Sequence, residues 1–358
     1  MRVYYVGAGL QGCYYYRCLL PMQENGWDGD QTTTILDNAM RTPEDKARAA
    51  QSADVLVFHR PDDVKKLELA RLLKVSGKKI VYDNDDTYKD DNGFKLNAFM
   101  DEQRMNRKMS TANEVLDAFI TEADLVTCST EFLAEEYRKL NKNVVVLPNC
   151  IDPFMFDEPL CNESDTFRVG FTGSVGCTAD FALASDLVKR VSDVRWVMYS
   201  LPPDDGSEIY KKLYSDEYRI LAGLDIEWHA FTPFEHYYEE LNSLRLDVMV
   251  IPRRDTYFNK CKSNIKFIEA SMFEIPVIAQ GFADGTSPYQ VDADDAKHMI
   301  IAHTQEEFVD AIYTLKNNRA LAIEMGKKAK EYVIKKYDIN TNAYLWEKTY
   351  KSLYQPIH

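Results

Sequence analysis

The sequence has no apolar run approaching the ~20 residues that a membrane-spanning helix needs, and it has no low-complexity tract. Histidine is scarce. The six residues form neither HExxH nor HxH, so no zinc site is expected. The seven cysteines (Cys13, Cys18, Cys128, Cys150, Cys161, Cys177 and Cys261) contain no CxxC pair and are odd in number. That pattern argues against a disulfide framework and for a reducing, cytoplasmic compartment. Positive charge is short as well: 43 Lys and Arg against 57 Asp and Glu leave a net charge of −14. Broad nonspecific nucleic-acid binding needs a cationic surface to displace counterions, so the overall balance speaks against it while leaving room for a local basic groove. The first strand is expected from residue 2, which leaves no space for a signal peptide. At 358 residues the chain exceeds one average core, and two domains are expected.

Chemistry is densest between Leu246 and Gly281. Leu246–Pro252 reads as a short buried strand, Ser263 as the N-cap of a helix reaching about Phe273, and Pro276–Gln280 as a second strand. Strand, helix and strand within ~35 residues make a right-handed βαβ unit, whose ligands bind beyond the strand carboxyl ends. The intervening loop places Arg253, Arg254, Lys260 and Lys262 within ten residues. Lys262, Lys266 and Glu269 follow at i, i+4 and i+7 and share one helix stripe, beside a core-facing stripe of Ile265, Ile268 and Met272. Cations at a helix N-terminus suit an anion, because free N–H groups and the helix dipole add to the side-chain charge. The spacing favours a diphosphate, with Glu269 accepting from sugar hydroxyls. The plainer alternative is a solvated face with Lys266 paired to Glu269.

Elsewhere the chain alternates strands and helices. Arg2–Val6 is a strand followed by Gly7-Ala8-Gly9-Leu10-Gln11-Gly12, literally a dinucleotide-binding GxGxxG, with Asp37 ending a strand over Thr32–Leu36. A nicotinamide or flavin enzyme is therefore a rival reading. Against it, Tyr14, Tyr15 and Tyr16 crowd the first turn, where the third glycine would otherwise allow close helix–strand packing. Arg17 has Asp37 or Asp54 as candidate partners. Ala53–Phe58 ends in His59-Arg60-Pro61 and Lys79–Tyr82 ends in Asp83-Asn84-Asp85-Asp86, with an amphipathic helix over Asp62–Val75 between them. Both polar clusters are expected to point into one crevice. His59 is a candidate acid/base or sugar ligand, since imidazole titrates near neutrality; its alternative is a structural role. Asp85 and Asp86 are candidate carboxylates beside a transferred group, or plain caps. The segment Asp91–Ile120 is the least Rossmann-like, a helical stretch with Met100, Met105 and Met109 near Arg104, Arg107 and Lys108. Further strands are expected over Glu122–Cys128, Asn143–Leu147, Arg168–Thr172, Arg195–Tyr199, Asp225–His229 and Met299–Ala302. Thr232-Pro233-Phe234-Glu235 has the form of a capping box for a helix through Leu244. Gly173-Ser174-Val175-Gly176 is a loop whose backbone could approach a phosphate.

The run KSNIKFIEASMFEIPVIA resembles the donor-binding segment of GT-B-fold glycosyltransferases of the group-1 type. GCYYYRCLLP and Pro148-Asn149-Cys150-Ile151-Asp152 resemble an opening segment and the interdomain hinge found among them. The resemblance implies an α/β protein of two Rossmann-like domains facing a cleft: an acceptor domain over 1–152, a linker over 153–166, a donor domain over 167–337, and a terminal helix over 338–358 crossing back to the first domain. It implies transfer of a hexosyl or pentosyl group from a nucleotide-diphosphate sugar to an acceptor hydroxyl, with retention and with neither metal nor cofactor. Glu269 is then the ribose ligand, and Lys262, Ser263 and Asn264 lie against the diphosphate. Arg253 or Arg254 supplies charge that the family places after the glycine loop (Gly173, Ser174). Phe231 belongs to the nucleobase loop, and Gly12, Tyr16 and Arg17 face the cleft. Arg254, Lys262, Asp85, Asp86 and His59 are the expected catalytic group. Asp83-Asn84-Asp85 is also a literal DxD, the metal motif of the other large transferase fold, but the two-domain pattern favours the metal-free class. Cys261 stands where the family's first motif glutamate is usual, which keeps a non-catalytic nucleotide-sugar binder in play. The acceptor is open among a glycan, a lipid carrier, a small molecule and a modified base in viral DNA, and the oligomeric state is open too.

Overall fold

A computed structural model describes residues 1–7, 12–30, 43–61, 63–87, 113–173, 178–200, 223–293 and 297–354. Outside these lie most of the glycine-rich loop (8–11), the strand expected over Thr32–Leu36 with Asp37, the methionine-bearing part of 91–120, and Ser174-Val175-Gly176.

Two six-stranded sheets organise the chain. The first contains β1 (Val3–Val6), β2 (Asp28–Gly29), β3 (Val55–His59), β4 (Lys79–Asn84), β5 (Leu125–Cys128) and β6 (Val144–Val146) in the order β2-β1-β3-β4-β5-β6. The second contains β7 (Phe167–Thr172), β8 (Val194–Tyr199), β9 (Ile226–His229), β10 (Val248–Ile251), β11 (Val277–Gln280) and β12 (Ile300–Ala302) in the order β12-β11-β10-β7-β8-β9. Every named pairing is parallel. Parallel sheets are covered on both faces, which is why strands such as β3, β5 and β10 are buried throughout rather than alternating. All strand carboxyl ends of one sheet leave from the same edge, so the loops after β1, β3, β4, β7 and β10 are brought to one region.

Local sequence sets most helix starts. The side chains of Asp63, Thr130, Thr304 and Asn318 each accept from a backbone N–H in the following turn. Two expectations need correction. The expected helix begins at Ile265, after a short helix over Tyr257–Cys261, with Asn264 as a cap lacking a side-chain bond; the Ser263 hydroxyl accepts from Asn149 at 3.0 Å. The capping box at Thr232 is absent: Phe234–His236 is a 3-10 turn ahead of Tyr237–Ser243, neither with a side-chain cap. The Thr232 hydroxyl instead meets the Tyr199 hydroxyl at 2.6 Å.

The chain crosses between the two halves twice. After β6 it runs outward through Ile151, and it returns beside the same residue: Ile151 N donates to Tyr337 O, and Ile339 N donates to Ile151 O, both at 2.8 Å. The closing helix Tyr344–Lys351 then lies on the first half, with Trp346 and Tyr350 fully buried. Tyr350 meets the Tyr5 hydroxyl at 3.1 Å and Trp27 at 5.4 Å between ring centroids. One apolar cluster consequently runs through both halves, from Tyr5 and Leu19 to Phe267 and Trp346. Among the described residues no helix is long and apolar enough to cross a membrane.

Candidate active site

The first wall of the site is the helix over 12–25, whose middle, Tyr15–Leu19, is a π turn. Such widened turns recur at functional places. Tyr14, Tyr15, Tyr16 and Arg17 are consecutive and all buried. No helix has one face wide enough for that, so they are covered from opposite sides. The Tyr14 ring lies against Gly7, where an added Cβ would come within 1.9 Å of it. Tyr15 packs on Phe234 of the second half at 4.9 Å. The Tyr16 hydroxyl reaches both the Tyr238 hydroxyl and Glu269 Oε1 at 2.5 Å. Gly12 is also at this contact, with the Phe234 ring 3.6 Å from where its Cβ would stand. Arg17 is used differently from the sequence-based expectation. It is 0% exposed, forms a fork on Asp83 at 3.1 and 2.6 Å, and donates to Leu147 O and Asn149 Oδ1. Its partner is Asp83 and not Asp54, and Asp37 lies outside the described residues.

The second wall is the carboxyl ends of β3 and β4. Asp83 also accepts from Thr127 Oγ1 at 2.7 Å, so the first carboxylate of the literal DxD is spent on holding strands and helix together. Asp85 is 9% exposed and His59 is 2% exposed. Their nearest polar atoms, His59 Nε2 and Asp85 Oδ1, stand 3.8 Å apart, too far for a direct hydrogen bond. Neither His59 nitrogen nor Asp85 Oδ1 has a hydrogen-bond partner among the described residues. Burial acts to raise the Asp85 carboxyl, but His59, Arg60 and Arg17 outweigh it and hold the group well below the usual carboxylate range. Arg60 completes the cluster and was not singled out from sequence. Its Nη1 is 3.8 Å from Asp85 Oδ1 and 3.0 Å from Cys13 Sγ. Its backbone has φ 47°, a conformation that is costly for a non-glycine residue and concentrates at functional sites. The only sequence hint was its place between a strand end and Pro61.

The third wall is the cationic segment after β10, which includes the short helix Tyr257–Cys261, and tertiary partners separate its four similar side chains. Arg253 is buried and donates to Asp180 Oδ2 at 2.7 Å, so most of its charge is already neutralised. Lys260 is held by Asp255 and Asp284 at 2.9 and 2.5 Å. Lys262 reaches across the cleft to Asp86 Oδ2 at 2.9 Å and lies 4.0 Å from the Phe258 ring centroid. Arg254 anchors its backbone N–H on Asp180, while its side chain is exposed and has no partner among the described residues. Cys261 is fully buried among first-half residues such as Tyr137 and Leu133.

The helix Ile265–Met272 forms the floor. It is not a one-sided amphipath: Phe267, Ile268, Glu269, Ala270, Ser271 and Met272 are all buried. Lys262 precedes it, so Lys266 and Glu269 alone share its polar side. Lys266 donates to both oxygens of Thr172, the last residue of β7. It thereby stands beside Gly173, where no cation was expected from the loop's own sequence. Glu269 is 6% exposed and accepts from Tyr16 and from Tyr237 at 2.9 Å. Burial pushes its carboxyl up, and the two tyrosines and Lys266 oppose that. Tyr237, stacked on Tyr199 at 5.6 Å, was invisible to sequence reasoning, because it becomes a ligand only through the fold. Phe231 packs edge-on to the same Tyr199 at 5.6 Å. Ser263 is bonded to Asn149, as given above. Asn264 points away, donating to Asp292 and to Tyr337 at 2.9 Å. Ser174 falls outside the described residues.

Two parallel sheets with their carboxyl edges facing, a chain that crosses twice, and a closing helix on the first half define the GT-B class of fold. No family model and no curated sequence matches the chain. Solved structures do. Sucrose-phosphate synthase from Thermosynechococcus elongatus aligns over 99% of this chain and 99% of its own, with a TM-score of 0.69 at 13% identity. Alr3699/HepE from Anabaena, solved in complex with UDP-glucose, aligns over 98% of this chain and 100% of its own, with a TM-score of 0.67 at 12% identity. A glycosyltransferase from Rickettsia africae covers 99% of both chains at 0.63 and 12%. At these identities the likeness establishes the fold, over essentially the whole chain.

Proposed function

We propose that the protein is a glycosyltransferase that moves a sugar from a nucleoside-diphosphate sugar to an acceptor hydroxyl, with retention and without a metal. The observation that carries this reading is that Lys262 and Lys266 flank the start of a buried helix that also bears Glu269, inside a fold shared with a UDP-glucose-binding protein. Helix N–H groups and cations together favour a diphosphate. As the bond from the sugar's anomeric carbon to the diphosphate oxygen lengthens, negative charge collects on the leaving phosphate. One cation about 4 Å away contributes ~4 kcal/mol at an effective dielectric of 20. Removing one preorganised donor typically costs ~3–4 kcal/mol in a transition state. Lys262 and Arg254 serve that charge, and Lys266 takes the place beside Gly173 that the loop itself leaves without a cation. In the retaining route the leaving phosphate accepts the acceptor's proton, so no strong protein base is needed. The unpartnered polar atoms of His59 and Asp85 suit a hydroxyl of the transferred sugar or a water between them.

Tyr16 and Tyr237 each take one lone pair of Glu269, and a ribose hydroxyl uses a remaining one, so donor binding and the contact between the two halves meet at one group. Cys261 supports a second reading, a non-catalytic nucleotide-sugar binder, because a buried thiol on the first half replaces a carboxylate beside the sugar. Melting curves with UDP, GDP, ADP and NAD(P) separate the nucleotide classes by ligand-linked stabilisation. A rise with one nucleoside diphosphate and none with NAD(P) is expected. Incubation with a nucleotide-sugar panel, read by mass spectrometry as released nucleoside diphosphate, then separates enzyme from binder. Stabilisation by NAD(P) alone would end the transferase reading.

A further inference from the structure

Glu269 belongs to the second half, yet one of the two hydroxyls that hold it comes from the first. Tyr16 donates to its Oε1 at 2.5 Å and Tyr237 to its Oε2 at 2.9 Å. An ionised carboxylate only accepts, so the single hydroxyl proton of Tyr16 is committed to Glu269. At its other contact, with the Tyr238 hydroxyl at 2.5 Å, Tyr16 is therefore the acceptor and Tyr238 the donor. The bonds run in one direction, Tyr238 to Tyr16 to Glu269, and each polarises the next.

Both rings that hold the carboxylate are themselves fixed. Tyr16 sits in the π turn Tyr15–Leu19, and the next residue, Arg17, anchors that turn by its fork on Asp83. Phe234 lies edge-on to Tyr16 at 6.1 Å and stacks on Tyr237 at 6.3 Å. Tyr16 and Tyr238 are buried, which keeps water from competing for these bonds. Of the about four acceptor sites on a carboxylate, the tyrosines take one on each oxygen and leave one on each. The terminal torsion of a glutamate is otherwise broad, so the tyrosines decide where the remaining lone pairs point. A brace between the halves would need the contact but not its direction.

We propose that Tyr16 is a positioning residue for ribose recognition: supplied by one half of the molecule, it aims the carboxylate with which the other half binds the nucleotide's ribose. The proposal rests on the reading of Glu269 as the ribose ligand. The experiment is isothermal titration calorimetry on the full chain with UDP, GDP and ADP and with their 2′,3′-dideoxy forms, in wild type, Tyr16→Phe, Tyr238→Phe and Tyr5→Phe. Each substitution removes one oxygen and keeps the ring. Tyr5, whose hydroxyl meets Tyr350 at 3.1 Å and not Glu269, is the control. Wild type should bind the best of the three ribonucleotides about tenfold or more tighter than its dideoxy form, the worth of one hydrogen bond to a charged group. Tyr16→Phe should lower that ratio about threefold or more by weakening the ribonucleotide alone. Tyr238→Phe should lower it about twofold, and Tyr5→Phe should leave it unchanged. A wild-type ratio in Tyr16→Phe overturns the proposal and leaves Tyr16 a brace; equal weakening of both ligands, or the same drop in Tyr5→Phe, also overturns it. Should Tyr16→Phe not fold, Tyr238→Phe decides, and an unchanged ratio there overturns the proposal. Wild type binding ribo- and dideoxynucleotide equally would instead sink the ribose reading of Glu269, and binding none of the three the transferase reading, each taking this proposal with it.

Discussion

Glu269 is a carboxylate kept from water by two tyrosines, and its titration has a definite sign. Burial raises its folded value above the ordinary ~4.3 of the unfolded chain. The folded protein then holds this proton to higher pH, so the group favours folding most below ~4.3 and loses that contribution as pH rises through the raised folded value. Glu269→Gln should accordingly raise the urea midpoint at pH 8 and lose that advantage towards pH 4, while weakening nucleotide binding. A midpoint that falls at pH 8 would mean the charge is welcome where it sits. Lys262 is separable from its partner. Lys262→Ala should lower turnover by roughly 10²–10³-fold with the fold intact, whereas Asp86→Asn leaves the cation in place and should cost far less. Equal losses in the two variants would make the pair a brace between the halves and not a phosphate site. Residue types at the site were legible in the sequence because cations cluster visibly, but their employment was not. Arg253, Arg254, Lys260 and Lys262 look alike in a row, and only Asp180, Asp284 and Asp86, brought from distant segments, tell them apart.

At the scale of elements, the turn after the helix Ile265–Met272 is the informative joint. Glu274 has φ 55°, a left-handed conformation that costs a residue with a Cβ about 1–2 kcal/mol. Its carbonyl oxygen would stand 1.8 Å from a Cβ on Gly326, so the helix Arg319–Tyr337 lies directly on the turn. Glu274→Gly should therefore be more stable than Glu274→Ala by ~1 kcal/mol in urea unfolding; equal midpoints would count against left-handed strain. Gly326→Ala gains ~1 kcal/mol of helix propensity but forces two backbones apart, an overpacking cost of ~1–3 kcal/mol. A net loss of stability is expected, and a gain would show that the helix can shift freely. Strands were readable from apolar runs, and the helix expected over Asp62–Val75 is found over Val64–Val75. The failures at Ser263 and Thr232 share a cause: each hydroxyl found a distant partner that outcompeted its own backbone.

At the scale of the whole molecule, Asp292 joins the crossing point to the site. It is fully buried and accepts from Tyr332 at 2.7 Å, Tyr337 at 2.8 Å, Lys336 and Asn264. Tyr337 is the residue at which the chain turns back towards the first half, and Asn264 precedes the donor helix. Asp292→Ala strands several donors in the interior and should cost ~3–5 kcal/mol in unfolding. A loss under 1 kcal/mol would show that water replaces it. What the sequence by itself determined was local and periodic: the βα alternation, two domains, a cationic loop leading into a helix, and the segments resembling one transferase type. Those properties follow from side-chain spacing along a single element. The tertiary structure alone decided which carboxylate neutralises which cation, that Glu269 faces two tyrosines, and that Arg17 is buried against Asp83. These depend on residues from different elements, 66 apart for Arg17 and Asp83 and 253 apart for Tyr16 and Glu269, and spacing along one element carries no information about such pairs.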